Sequence, residues 1–189
     1  RRTYDMDYNE IRRKSKKIKI GNMAIGGDAP IAIQSMTNTD THDFEATYNQ
    51  VSALEAAGCD IVRITAPDIE STKVFSYLKK KGIKIPLVAD VHFNHKIAVA
   101  AIKSGADKVR INPGNIGSDE GVKEVVDAAK EYGIPIRIGV NSGSVPKELL
   151  AKYGHPTPEA LVEAVMYHVE LLERYDFHDI VISIKASNP

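Results

Sequence analysis

The sequence predicts an α/β fold, a TIM-type (β/α) barrel that is incomplete at about six of its eight βα units and preceded by an N-terminal β-hairpin. Short apolar runs of strand type alternate with longer helix-type runs along the chain. The segment 56–64 also resembles the segment 103–111, since both place a glycine, an aspartate and Val-Arg-Ile at matching positions. A repeated unit of helix end, glycine turn and strand is typical of consecutive βα units.

The first predicted element is the hairpin, formed by Ile18–Ile25 around a Gly21-Asn22 turn, and we expect it to close one end of the sheet. Residues 1–30 are interpreted as an N-terminal extension with this hairpin, and residues 31–189 as the partial barrel that binds substrate. Six barrel strands are predicted near residues 31–36, 61–65, 85–91, 107–112, 134–140 and 179–185.

Capping residues delimit the predicted helices between these strands. Asp43, Ser118 and Thr157 each precede a helix-type run and can accept hydrogen bonds from its first backbone amides. Glycines at positions 58, 82, 105 and 133 are expected to end four helices. Because the connections are short, each unit is expected to be a right-handed crossover between parallel strands.

Polar side chains at the strand ends favour a barrel over an open doubly wound sheet, although both remain possible at this point. Nearly every predicted strand is followed by such residues, whereas an open sheet concentrates them beside one crevice. They are Gln34, Thr37, Thr65, Asp90, His92, Asn112, Asn141, Ser183 and Lys185. The Gly-x-Gly-x-x-Gly fingerprint of dinucleotide binding does not follow the first strand.

Composition excludes several classes of function. The 189 residues include 25 basic and 25 acidic side chains, a balance that argues against a nucleic-acid-binding surface. No apolar run approaches the ~20 residues that cross a bilayer, and the start has no signal-peptide character, so we predict a cytoplasmic protein without a membrane partner. The single cysteine, Cys59, cannot hold a metal cluster alone and is expected to be a buried packing residue, so no metal site is predicted in this chain.

Three arginines in apolar strands indicate a site for an anion. Arg63, Arg110 and Arg137 each lie between apolar neighbours, and strand alternation directs them away from the residues that face the helices. A buried guanidinium is costly unless it is paired. Each could pair with an acid such as Asp60, Asp90 or Asp107, but three arginines without a matching set of inward acids favour one shared anionic ligand.

Other candidate residues admit more than one interpretation. Asp90 is the only candidate catalytic residue; it could instead orient His92, accept an arginine or cap a loop. His92 could be a ligand or a packed histidine, and Lys185 could form a Schiff base or contact phosphate. The loops 112–117 and 141–144 offer backbone donors, although Asp119 and Glu120 would repel an anion near the first of them.

Six segments together resemble the 4-hydroxy-3-methylbut-2-enyl diphosphate synthase family, from about Ile18 to the C-terminus and in the family's order. The most specific are Gln34-Ser-Met-Thr-Asn-Thr39 and Arg110-Ile-Asn-Pro-Gly-Asn115. The motifs that contain or accompany these two are Ile33–Thr39, Val62–Ile64, Leu87–Phe93, Val109–Gly117, Ile136–Ser144 and Val181–Ser187.

The resemblance implies a reductive ring opening of 2-C-methyl-D-erythritol 2,4-cyclodiphosphate in the non-mevalonate isoprenoid pathway. It further implies a C-terminal domain with a [4Fe–4S] cluster held by three cysteines and a glutamate, a homodimer, and ferredoxin or flavodoxin as electron donor. This sequence lacks that domain, so the chain alone is expected to hold no cluster and to be inactive. The family's substrate-binding positions correspond to Arg63, His92, Arg110, Asn112, Arg137, Asn141 and Lys185.

Two alternatives stay open on the sequence. A dihydropteroate-synthase-like barrel would bind a pterin and should show more pocket acids and fewer arginines. A non-catalytic fragment would bind diphosphates without turning them over. The roles of residues 34–39 are not assigned.

Overall fold

The computed structural model describes residues 14–112, 116 and 118–185, without the side chain of Ser144. The expectations for residues 1–13, for most of the loop 113–117 and for residues 186–189 therefore lie outside the described part of the chain. A two-stranded antiparallel hairpin comes first, formed by β1 (Ile18–Ile20) and β2 (Met23–Ile25). This confirms the predicted hairpin and its turn.

Six parallel strands follow, and at least one helix separates each strand from the next. The strands are β3 (Gln34–Met36), β4 (Ile61–Thr65), β5 (Leu87–Val91), β6 (Lys108–Ile111), β7 (Ile136–Asn141) and β8 (Ile180–Lys185). The helices are α1 (Phe44–Ala56), α2 (Lys73–Lys80), α3 (His95–Lys103), α4 (Asp119–Tyr132), α5 (Lys147–Tyr153) and α6 (Pro158–Arg174). A short 3₁₀ turn, Ser142–Ser144, lies between β7 and α5.

The strand order decides between the two predicted architectures. The strands are neighbours in the order of the sequence, β3-β4-β5-β6-β7-β8, and all pairs are parallel. A doubly wound sheet reverses its strand order at a switch point, and this sheet does not. The fold is therefore the barrel type, a curled half-barrel of six strands, as predicted.

Two separate apolar clusters cover the two faces of the sheet. The outer face carries Val62, Ile64, Ala89 and Ile138, which are fully buried beneath the helices in the main core. On the inner face, Ile61 and Val88 pack against Ile20 of the hairpin in a second cluster. Because both strand residues lie near the amino ends of their strands, the hairpin closes that end of the half-barrel, as expected.

The capping predictions are confirmed. The side chains of Asp43, Ser118 and Thr157 accept hydrogen bonds from backbone amides in the first turns of α1, α4 and α6. The four predicted glycines have positive φ at or just after the ends of α1, α2, α3 and α4, the conformation that closes a helix. Cys59 is buried, as predicted.

The first barrel strand is shorter than predicted. It begins at Gln34 rather than at residue 31, and Ile31 and Ile33 are exposed. The cause lies in the loop before β4: the Asp60 carboxylate accepts the backbone N–H of Ile33, and the Ile33 carbonyl accepts the N–H groups of Asp60 and Ile61. The N–H of Ile33 is thus bound by a side chain, and the pairing with β4 begins only at Gln34. Helix α5, which follows Pro146, was not predicted.

Candidate anion-binding site

The inner face of the half-barrel presents a row of cations. Strand alternation brings Arg63 of β4, Lys108 and Arg110 of β6, and Arg137 of β7 to this face, opposite the residues that pack under the helices. Arg110 and Arg137 are direct neighbours in the parallel register, as are Asp90 and Arg110. Asp90 is the one carboxylate among the inner-face residues of the described strands.

Asp90 joins two of the three arginines. Its side chain is 2% exposed, and its Oδ1 accepts a 2.8 Å hydrogen bond from Nη1 of Arg110. Nε of Arg63 lies 3.3 Å from Oδ2, a charge contact without hydrogen-bond geometry, so this buried N–H has no directed partner. One carboxylate therefore compensates about one of two positive charges. The described strands thus offer one inward acid for three arginines rather than a matching set, and Asp90 accepts an arginine, one of the alternatives that the sequence left open.

Gly139 of β7 makes room for the Arg110 side chain. A Cβ at position 139 would lie 2.4 Å from Nε and 2.8 Å from Nη2 of Arg110, far inside van der Waals contact. The backbone of Gly139 does not have positive φ, so the glycine is needed for space rather than for conformation. The guanidinium thus lies flat over β7 while it reaches Asp90 on β5.

Arg137 has no acidic partner among the described residues. Its Nη2 donates a 2.7 Å hydrogen bond to the hydroxyl of Ser183 on β8. Burial lowers the pKa of Arg137, and the charges of Arg63 and Arg110 lower it further, with a partial offset from Asp90. The guanidinium remains charged at any physiological pH and keeps its other donors for a ligand.

Lys108 is the most buried cation of the row and was not among the predicted site residues. It is 3% exposed, and burial, followed by the charges of Arg137 and Arg63, lowers its pKa from 10.5 to about 8. The same alternation that identified Arg110 also places Lys108 on the inner face, so the sequence contained the signal. Its neighbour Val109 faces the opposite way, into the main core.

The other predicted site residues surround the carboxyl ends of the strands. His92 lies 3.3 Å from Nη1 of Arg110, through Nδ1, and 3.8 Å from Asp90, through Nε2. Asn112 is buried, and its Oδ1 has no hydrogen-bond partner in the described structure. The side chain of Asn141 accepts the backbone N–H of Gly143, and Lys185, its neighbour in register, is exposed at the end of β8. Lys185 is therefore near the site without contacting the arginines.

The other acids proposed as arginine partners serve the scaffold. Asp60 accepts the backbone N–H of Ile33. Asp107 accepts the backbone N–H of Leu87 and forms a 2.9 Å ion pair with Lys79. Both lie at the amino ends of their strands, away from the arginines. The inner face consequently keeps an excess of positive charge, which an anion with several oxygens would compensate.

Metal-binding side chains are not gathered anywhere in the described residues, where no group of three or more His, Cys, Asp or Glu could hold an ion. Cys59, the one cysteine of the sequence, is buried and its thiol donates to the carbonyl of Ile61 at 3.1 Å. An iron–sulfur cluster needs several thiolates. The residues of this chain therefore do not fit such a cluster. In the same part of the chain, every helix is too short or too polar to span a bilayer.

Known proteins resemble this chain in sequence and in fold. Residues 15–189 match the family described as the GcpE TIM-barrel domain. The chain is 60% identical over 174 residues to the 4-hydroxy-3-methylbut-2-en-1-yl diphosphate synthase (flavodoxin) of Caldicellulosiruptor saccharolyticus, covering 92% of the chain and 50% of that protein. The protein of the same name from Fusobacterium nucleatum is 56% identical, with 94% and 50% covered. The chain thus spans about half the length of these curated relatives.

Solved structures show the fold alone. Dihydropteroate synthase from Thermus thermophilus superposes with a TM-score of 0.62 at 15% identity, covering 89% of this chain and 64% of that one. A spore coat polysaccharide biosynthesis protein from Bacillus subtilis also gives a TM-score of 0.62, at 13% identity, with 92% and 49% covered. At these identities the likeness concerns the barrel architecture and not the ligand.

Proposed function

Because the chain belongs to the family of the GcpE TIM-barrel domain, we propose that it is the substrate-binding part of a 4-hydroxy-3-methylbut-2-en-1-yl diphosphate synthase. In this proposal it binds 2-C-methyl-D-erythritol 2,4-cyclodiphosphate for the reductive ring opening that yields 4-hydroxy-3-methylbut-2-enyl diphosphate. The observation that carries it is the row of cations on the inner face, Arg63, Lys108, Arg110 and Arg137, opposed on the described strands by the carboxylate of Asp90 alone.

The chemistry of the ligand matches this row. A cyclic diphosphate presents several oxygens that share negative charge, and guanidinium groups bind such oxygens with two parallel donors. Asp90 holds Arg63 and Arg110 close together, and Gly139 lets Arg110 lie flat. The donors are therefore oriented before the ligand arrives, which reduces the entropy lost on binding.

The same donors can assist the reaction. When the ring opens, negative charge develops on the phosphate oxygen that leaves carbon, and fixed cations in a site shielded from water stabilise such charge. Arg110 and Arg137 are the best placed for this role because they are adjacent and partly buried. His92 and Asn112, at the carboxyl ends of β5 and β6, are proposed to bind the remaining phosphate or hydroxyl oxygens, together with Asn141 and Lys185.

The electrons must come from groups outside this chain, because its residues do not fit a [4Fe–4S] cluster. We assign the cluster to a C-terminal iron–sulfur domain, in a protein that acts as a homodimer. The names of the relatives support flavodoxin as the donor, and ferredoxin is the alternative that we propose. No step through the cluster is derived from the half-barrel.

A pterin-binding function is not favoured. The dihydropteroate synthase of Thermus thermophilus shares the fold at 15% identity, whereas the diphosphate synthase of Caldicellulosiruptor saccharolyticus is 60% identical. The inner face of the described strands also has one acid and three arginines, the opposite of the balance expected for a pterin site.

Replacing Arg110 with alanine tests the proposal. We expect calorimetry to show affinity for the cyclodiphosphate at least tenfold weaker in Arg110→Ala, equivalent to about 1.4 kcal/mol, because a bidentate donor is lost. Arg174→Ala, an exposed arginine at the end of α6, is the matched control and should bind like the unmodified protein. Equal affinity in both variants would refute the role of Arg110.

A further inference from the structure

Lys108 differs from the arginines beside it because it is both buried and without a partner. Its residue exposure is 3%, and in the described structure its amine forms neither a hydrogen bond nor an ion pair. It borders a cavity of about 220 Å³ between the inner face and the segment that follows the hairpin, whose other lining residues include Ile25, Ala29 and Ile61. A lysine residue is rarely this buried without a counter-ion.

The charged groups around Lys108 explain its state. Arg63 on β4, Arg137 on β7 and Arg110 on its own strand are cations, and β8 contributes the exposed Lys185 at its far end. On β5, Asp90 is engaged by two arginines, and His92 lies beyond it. β3 contributes the uncharged Gln34, and the one acid of the segment lining the cavity, Asp28, is paired with Lys17 at 3.0 Å.

Among the residues that the structure describes, no free carboxylate therefore compensates the ammonium form of Lys108. Burial and the charges of Arg137 and Arg63 both disfavour that form and bring the pKa to about 8. An anion on the inner face reverses the balance, because it supplies the missing negative charge. The ammonium form then becomes the favoured one, and the amine must take a proton from solvent.

We propose that Lys108, which lies on the face of Arg110 but two residues closer to the hairpin, takes up a proton when the cyclodiphosphate binds, so that the site completes its positive charge only when it is occupied. This inference rests on the proposed function. A diphosphate brings two negative charges, which can compensate the ammonium group of Lys108 as well as the arginines. A monoanion would compensate less of this positive charge and would favour protonation of Lys108 less. The amine thus favours ligands that carry more than one negative charge.

Calorimetry in buffers of different ionisation enthalpy measures the proton directly. The two phosphates of the cyclodiphosphate have no group that titrates between pH 7 and 9. Any proton taken up on binding in this range must therefore be bound by the protein. We expect about half a proton taken up per ligand at pH 8, from a group half protonated at that pH. This uptake should vanish in Lys108→Met and in Lys108→Arg, whose charge is permanent, and persist in Lys103→Met, an exposed lysine of α3.

A second readout needs no ligand. Because the pKa of Lys108 is lowered in the folded state, the unfolded chain binds more protons between pH 8 and 10.5. The charged amine destabilises the folded state at pH 7, and this destabilisation is lost as the pH rises through that window. Lys108→Met should therefore raise the melting temperature at pH 7 and lose this advantage towards pH 10.5.

The possible outcomes distinguish the role of Lys108 from the proposed function. Binding without proton uptake, or the same uptake in Lys108→Met, overturns the role of Lys108 and leaves the proposed function standing. A protein that does not bind the cyclodiphosphate at any of these pH values overturns the proposed function, and the inference with it.

Discussion

Asp90→Ala is expected to lower the free energy of unfolding by about 3 kcal/mol, because it leaves two partly buried guanidinium groups without their shared counter-ion. The Asp90 side chain is 2% exposed, and those of Arg63 and Arg110 are 24% and 14% exposed. The like charges of Arg63, Arg110 and Arg137 would then repel one another without a carboxylate between them. Denaturant unfolding monitored by circular dichroism measures the change.

Asp179→Ala is the matched control. Asp179 forms an ion pair with Lys16 of the same 2.8 Å length, but both side chains are more than half exposed. Exposed pairs contribute roughly 0–1 kcal/mol. If the two variants lost the same small amount of stability, burial of Asp90 between the arginines could not be what holds the inner face together.

Gly139→Ala is expected to weaken binding of the cyclodiphosphate at least tenfold and to cost about 1–3 kcal/mol of stability, the usual range for overpacking. The added methyl group would lie 2.4 Å from Nε of Arg110, so the guanidinium must leave its position and its 2.8 Å bond to Asp90. Titration calorimetry and denaturant unfolding on the same sample give both numbers.

A double-mutant cycle identifies the cause. If Gly139→Ala acts by displacing Arg110, it should have little further effect on binding in an Arg110→Ala background. Gly121→Ala is the control for a clash elsewhere, because its Cβ would lie 2.7 Å from Nδ1 of His95, between α3 and α4. It should lower stability while leaving the affinity unchanged. Additive effects of Gly139→Ala and Arg110→Ala would contradict the explanation.

The sequence predicted most of the fold because its signals are local. Side-chain caps at Asp43, Ser118 and Thr157 depend on residues within one helical turn, and the alternation around Arg63 depends on a single strand. The start of β3 was misjudged because its hydrogen bonds come from Asp60, 27 residues away. The apolar residues just before β3 give no indication of a hydrogen bond to a residue so far away in the sequence.

The sequence predicted which side chains lie on the inner face of the sheet, but not which of them contact one another. Alternation brings Arg63, Arg110 and Arg137 to one side, but which of them Asp90 meets depends on the register between strands. The space that Gly139 leaves for Arg110 is likewise a matter of neighbouring strands. Lys108 shares the face of Arg110 and could have been named from the sequence, because alternation alone places it there.

A crystal structure of the protein with bound 2-C-methyl-D-erythritol 2,4-cyclodiphosphate tests the central claim most directly. We expect phosphate oxygens within about 3 Å of guanidinium nitrogens of Arg63, Arg110 and Arg137, at the inner face of the half-barrel. A ligand bound on the outer helices, or in the loops without contact to any of these arginines, would contradict the account.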